Sequence, residues 1–139
     1  MEAVRLWLST FLTAGKTRTF EAYRREVERF YVWCLNEAQV ALSGVNTSHA
    51  LAYQAFLAKI PAAYIGRHGV TRDDARWRPW RGQLTPRSQL YALTVIKVMM
   101  EALTKAGYLS ANAFDSLKAV ATVERTMDTS RSLNRGDLE

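Results

Sequence analysis

The sequence predicts an all-α fold: a compact bundle of four to five helices, with a long loop between the third helix and the fourth. Three observations lead to this prediction. Apolar residues recur at the i, i+3, i+4 spacing of amphipathic helices in successive segments. Clear start and stop signals enclose the longest of these segments. The chain has 139 residues, of which 48% are hydrophobic and 23% charged, as expected for one globular domain with its own core.

The first predicted helix is short and ends near Gly15. Its apolar face consists of Val4, Trp7, Leu8, Phe11 and Leu12. The second predicted helix is Thr17–Leu35, and its apolar face consists of Phe20, Tyr23, Val27, Phe30 and Cys34. On such a face Cys34 is expected to be a buried, unreactive thiol.

The opposite side of the second helix is basic. At about 100° per residue, one line of residues runs along it: Arg18, Ala22, Arg25 and Arg29. Thr19 lies beside this line, and Glu21 has the i, i+4 spacing for an ion pair with Arg25. Such a face is either a solvated surface with weak salt bridges or a surface that contacts a polyanion.

The third helix is predicted to have Thr47 or Ser48 as its cap and to end near Lys59, before Pro61. Residues 61–84 then form the long loop. Its five arginines and two aspartates give it +3 of the net charge of +6. Trp77 and Trp80 flank a basic dipeptide there, a pattern compatible with nucleic-acid contacts. Because loops of this length need internal packing, a structural role for both tryptophans is the preferred interpretation.

The fourth predicted helix, Thr85–Ala106, has the clearest boundaries. Thr85 is a favoured N-cap, Pro86 suits the first helical position, and Gly107 is a typical stop. Its apolar face consists of Gln89, Leu93, Ile96, Met100 and Leu103, with Ala92 and Met99 beside it. The other face carries Arg87, Ser88, Tyr91, Thr94, Lys97 and Val98. Basic and hydroxyl side chains at a helix N-terminus suit a phosphate.

After the fourth helix, Asn112 is predicted to cap a short fifth helix that reaches about Val120. We therefore assign residues 1–120 to the helical domain. Residues 121–139 are polar and lack sustained periodicity, which predicts a linker or tail.

The residue types argue against several classes of function. One cysteine and two histidines, His49 and His68, have no partners at metal-ligand spacing, so we expect no metal, and each histidine is interpreted as a surface or capping residue. Glycine-rich phosphate loops are missing, and no cofactor is expected. No apolar run approaches the roughly 20 residues of a membrane span, and the start does not resemble a secretory signal. We expect a cytoplasmic protein with a polyanionic partner.

Two stretches carry a family resemblance. Thr19–Arg25 (TFEAYRR), continuing to Phe30, resembles a helix of the pattern T-x-x-x-Y-x-x-x-x-x-x-F. Leu84–Ser88 (LTPRS), continuing to Ala106–Leu109 (AGYL), resembles a helix that starts with L-S/T-P-x-T/S and ends in G-x-L/I-x-x-N-P. Both patterns belong to the N-terminal core-binding (SAM-like) domain of phage integrases, the tyrosine recombinases. The resemblance covers roughly residues 3–120. Ala113 replaces the frequent proline, and the loop at 61–84 is longer than in the simplest members.

The resemblance implies that the bundle covers one face of a recombination site in DNA integration. The second and fourth helices would lie against the duplex, in or beside its major groove, and the first and often the fifth would contact neighbouring integrase protomers. In the family a catalytic domain follows, and Ser132–Arg135 (SLNR) resembles its first residues. We expect residues 121–139 to lead toward such a domain, which this sequence does not include. Neither histidine fits the family's His-x-x-Arg, so no catalysis is expected of this fragment.

The residues expected to contact DNA are Arg18, Thr19, Ala22, Arg25, Arg29, Arg87, Ser88, Tyr91, Thr94 and Lys97. The five cations would meet phosphates, which predicts a log–log salt slope of roughly −4 to −5. The expected partners are double-stranded DNA and neighbouring protomers, with a monomer in isolation. The alternative is a helical protein–protein interaction module without DNA binding, whose contact patch would be Trp7, Phe11 and the Trp77–Trp80 loop.

Overall fold

A computed structural model describes residues 2–67, 69–115 and 117. Over these residues the chain folds into four α-helices: α1 Glu2–Thr13, α2 Thr17–Trp33, α3 Thr47–Ala58 and α4 Pro86–Lys105. A π-helical turn, Cys34–Ala38, extends α2, and two short 3-10 turns follow at Leu42–Gly44 and Ala62–Tyr64. The prediction of an all-α bundle with a long connection between α3 and α4 is confirmed. Residues 116 and 118–120 of the predicted fifth helix and the whole of the predicted tail, 121–139, lie outside the described residues.

Helix α4 is the central element, because it packs against α1, α2 and α3. It contributes seven buried residues: Ala92, Leu93, Val95, Ile96, Met99, Met100 and Leu103. Across from it the core is aromatic. The Phe30 ring lies 4.9 Å from that of Tyr53 and 5.4 Å from that of Phe114. Burial of such rings is the main source of stability in a bundle of this size.

The predicted boundaries of α4 are confirmed by its caps. Thr85 Oγ1 accepts a hydrogen bond from the Ser88 N–H at 3.1 Å, and Pro86 is the first helical residue. After the helix, Gly107 has a φ of 88°, a left-handed conformation that glycine adopts without steric cost.

The start of α3 differs from the prediction by one residue. Asn46, rather than Thr47 or Ser48, is the N-cap: its Oδ1 accepts from the His49 N–H at 3.1 Å. The Asn46 N–H in turn donates to His49 Nδ1 at 3.0 Å, so the two residues form a reciprocal capping box. The capping interpretation of His49 is thus confirmed, whereas His68 lies outside the described residues.

The long connection is held against the bundle by Trp80, which is fully buried. Its ring lies 5.3 Å from that of Phe56 and 6.1 Å from that of Tyr64. The Gln83 amide adds a second attachment, since its Oε1 accepts from the Ile60 N–H and its Nε2 donates to the Ile60 carbonyl. The structural role expected of Trp80 is confirmed.

Cys34 is buried as predicted, with 1% of its surface exposed. Burial raises the pKa of the thiol from 9.0 to about 12. Only the thiolate is nucleophilic, so we expect a disulfide reagent at pH 8 to modify Cys34 no faster than local unfolding exposes the thiol. In urea, where the chain is unfolded, the reaction should be rapid. The folded state favours the protonated thiol, so its contribution to stability is complete below pH 9 and is lost as the pH rises toward 12. Rapid modification of Cys34 in the native protein at pH 8 would contradict the prediction that the folded chain protects this thiol.

Candidate nucleic-acid interface

The basic faces of α2 and α4 lie side by side. They form the two walls of an open groove of about 440 Å³, which we call the α2–α4 groove. Its lining residues are Arg25, Glu26 and Arg29 from α2, Arg87, Ser88 and Tyr91 from α4, and Leu84 from the segment before α4. Five of the ten residues expected to contact DNA therefore meet in one place, although about sixty positions separate the two helices in sequence.

The α4 wall of the groove begins at the helix N-terminus. Pro86 has no N–H, Ser88 donates its N–H to Thr85 Oγ1, and Gln89 donates its N–H to the Thr85 carbonyl. Of the backbone N–H groups in this first turn, only that of Arg87 has no hydrogen-bond acceptor among the described residues. The Arg87 side chain is exposed beside it. One N–H and one guanidinium can thus act together on an anion at this position.

Further along α4, the predicted contact residues differ in exposure. Tyr91 is 40% exposed, and partial burial together with the negative charge of Glu26 raises its pKa. Thr94 is exposed, and its hydroxyl donates to the Leu90 carbonyl at 2.8 Å, which leaves the oxygen free to accept a hydrogen bond. Lys97 is half-buried.

The α2 wall is shorter than the sequence predicts. Arg18 is exposed, and Thr19 and Ala22 are half-buried, but none of these three lines the groove. Arg25 does, with 55% of its side chain exposed. The groove therefore covers only the later part of the basic line on α2.

The expectation that Arg29 is exposed like Arg18 and Arg25 is wrong. Only 12% of its side chain is exposed. Its Nε donates to the Pro79 carbonyl at 3.0 Å, its Nη1 donates to Glu26 Oε2 at 3.2 Å, and its guanidinium lies 5.7 Å from the centre of the Trp80 ring. Burial lowers its pKa. The loop segment that carries Trp80 packs over this turn of α2, so Arg29 serves the fold as an internal cation.

Glu26 is the residue of this site that the sequence did not indicate. It is 3% exposed, and besides the Arg29 contact its Oε2 lies 3.5 Å from Arg25 Nε. Within the described part of the chain, its Oε1 has no hydrogen-bond partner. The predicted ion pair between Glu21 and Arg25 is thus replaced by one with the adjacent Glu26. The i, i+3 spacing of Glu26 and Arg29 was the available signal.

Beside the groove, three aromatic rings of α1 and α2 pack together. Trp7 stacks on Tyr23 at 5.7 Å, and Phe11 meets Tyr23 edge-on at 5.0 Å. Trp7 and Phe11 remain half-buried, whereas Trp80 has no exposed surface. Trp80 was assigned to the contact patch of the alternative interaction module. It is buried in the core and therefore not available for that contact.

Two features were searched for among residues 2–67, 69–115 and 117, a metal-binding group and a membrane-spanning helix. No group of three or more acidic, histidine or cysteine side chains there is arranged to hold a metal ion. None of the described helices is long and apolar enough to cross a bilayer. Comparison of the chain with protein-family models, with curated proteins and with solved structures finds no match.

Proposed function

We propose that this domain binds double-stranded DNA through the α2–α4 groove, as the SAM-like core-binding domain of a tyrosine recombinase. It holds the duplex at a recombination site in the cytoplasm, and the domain itself supplies no catalytic residue. The observation that carries the proposal is the convergence of Arg25, Arg87 and the α4 N-terminus on one groove. These are the same helix faces that the family resemblance assigns to DNA.

The residues divide into two roles. Arg18, Arg25, Arg87 and Lys97 neutralise phosphates, which supplies affinity and register without reading sequence. Ser88, Tyr91 and Thr94 approach sugars or base edges, with Thr19 and Ala22 beside them. Because the Thr94 proton is already donated to Leu90, the hydroxyl acts as an acceptor and suits the amino group of adenine or cytosine in the major groove.

Neighbouring protomers belong to the same proposal. By the family resemblance, α1 contacts the adjacent subunit once the duplex is bound. Trp7 and Phe11 keep part of their surface available for such a contact. The isolated domain is then a monomer, and it assembles only on DNA.

Titration with a generic duplex tests the proposal. We expect amide chemical-shift changes on residues 18–26 of α2 and 87–94 of α4, and little change on α3, which serves as the internal control. Arg29 is not counted here, because its side chain is mostly buried. The four remaining cations, Arg18, Arg25, Arg87 and Lys97, contribute about −3.6 to the slope of log affinity against log salt concentration. A slope near zero, or shift changes centred on α3, would contradict DNA binding by this surface.

The alternative, a protein–protein interaction module, is less well supported. Trp80 lies in the core, and Trp7 and Phe11 already pack on Tyr23. Self-association without DNA that depends on Trp7 would favour this alternative.

A further inference from the structure

Most arginines of the long connection are engaged within the protein. Arg72 forms an ion pair with Glu28 and lies over the Trp77 ring. Arg76 binds both carboxylate oxygens of Asp74, and Arg78 donates to three backbone carbonyls, those of Ala63, Ala75 and Trp77. These three arginines stabilise the connection itself.

Arg67 and Arg81 differ from the others. Both are exposed, and neither has a hydrogen bond or ion pair with another described residue. Exposed arginines that make no internal contact keep all five N–H donors for a ligand.

The backbone brings these two arginines onto neighbouring segments. Ile65 and Trp80 form a parallel bridge, in which the Gly66 N–H donates to the Trp80 carbonyl at 2.8 Å and the Trp80 N–H donates to the Tyr64 carbonyl at 3.3 Å. Segments paired in this way lie about 4.8 Å apart. Arg81 directly follows one bridge residue, and Arg67 comes two positions after the other. Their side chains therefore start from adjacent backbones.

The pair is close to the α2–α4 groove. Pro79, two residues before Arg81, accepts the Arg29 hydrogen bond, and Leu84, three residues after Arg81, lines the groove. At 3.8 Å between successive Cα atoms, the Arg81 backbone lies within about 12 Å of Leu84. The backbones of Arg67 and Arg81 thus lie on the flank of the groove that the long connection forms.

We propose that Arg67 and Arg81 each contact a phosphate of the same duplex, which extends the interface from the helices onto the long connection. This inference rests on the proposed function. Each of the two guanidinium groups, which have no partner among the described residues, contacts its own backbone phosphate. Guanidinium groups also match the geometry of phosphate oxygens, which they bind in a bidentate manner. The connection then serves as a third wall of the DNA-binding surface.

The salt dependence of binding measures these contacts directly. Six phosphate contacts, four from the helices and two from the pair, give a slope of about −5.4, against about −3.6 for the helices alone. We expect Arg67→Ala with Arg81→Ala to change the slope by about 1.8, to the value for the helices alone. Replacing both by lysine keeps the charge and should keep the slope of the unmodified protein. Because both side chains are exposed, circular dichroism and the Tm should not change.

A matched control is Arg5→Ala. Val4, the preceding residue, lines a recess with Leu103, which lies about 24 Å further along α4 than Arg87 at 1.5 Å per residue. Arg5 is exposed at that distant end, and its removal should leave the slope unchanged. The unmodified protein could instead give a slope of about −3.6 that the paired alanine variant does not change. That result would overturn the phosphate contacts of Arg67 and Arg81 and leave the helix interface intact. An unmodified slope near zero would instead reject the proposed function.

Discussion

Replacing Arg29 by alanine is expected to lower the free energy of unfolding by about 3–5 kcal/mol. The substitution leaves Glu26, which is 3% exposed, without its closest cation, and an uncompensated buried charge is costly. It also removes the donor to the Pro79 carbonyl and the cation over Trp80. Urea denaturation followed by circular dichroism and by tryptophan fluorescence measures the change.

The matched control for this variant is Arg25→Ala. Arg25 also contacts Glu26, but 55% of its side chain is exposed, and exposed ion pairs contribute about 0–1 kcal/mol. Two arginines four residues apart on one helix should therefore differ several-fold in their effect on stability. Equal losses from the two variants would show that Arg29 is not the internal cation described above.

A double variant without either charge separates the effect of the charge from that of the packing. Glu26→Gln combined with Arg29→Met removes both charges and keeps most of the side-chain volume. Replacing both members of a buried pair is often close to neutral, so the double variant should be more stable than Arg29→Ala. A double variant as unstable as the single one would assign the loss to the Pro79 contact and the packing on Trp80 instead.

Replacing Arg25 and Arg87 together by alanine is expected to weaken duplex binding about 60-fold at 0.1 M salt. Each phosphate contact contributes about 0.9 log unit of affinity for every tenfold fall in salt concentration below 1 M. The two side chains come from opposite walls of the α2–α4 groove, so the variant removes a cation from each helix. Fluorescence anisotropy with a labelled duplex, repeated at several salt concentrations, measures the affinity and the slope.

The control for this variant is Lys105→Ala. Lys105 is a cation in the last turn of α4, at the end opposite Arg87, and pairs with Glu101 at 3.7 Å. Its removal changes the net charge without touching the groove, so it reports the effect of total charge alone. If Lys105→Ala weakened binding as much per charge as the double variant, attraction by net charge, rather than a groove, would explain the affinity.

The fold was largely predictable because each helix carries its own local signals. The spacing of Phe20, Tyr23 and Val27 selects the face of α2 that turns inward, and Thr85 and Gly107 mark the ends of α4. Both kinds of signal act within one or two helical turns. The displaced cap of α3 is a small error of the same local kind, because Asn46 competes with Thr47 and Ser48 for one position.

The site was only partly predictable. A helical wheel places Arg25 and Arg29 on the same line, and the spacing of Glu26 and Arg29 indicates an ion pair without indicating that it is buried. The exposure of the two arginines differs because Pro79 and Trp80, about fifty positions later, pack over Arg29 and not over Arg25. Glu26 was overlooked because its burial, with 3% of its surface exposed, depends on tertiary packing and is not visible within α2 alone.

The sequence by itself determined which segments are helical, which face of each helix is apolar, and that both α2 and α4 carry cations on the other face. It does so because helix periodicity and capping are short-range effects. Only the tertiary structure decided that the two basic faces share a groove, that Arg29 lies inside, and that Arg67 and Arg81 begin from adjacent backbones. These features depend on the path of an irregular connection, which is set by where Trp80 finds a buried position, and no local pattern encodes that position.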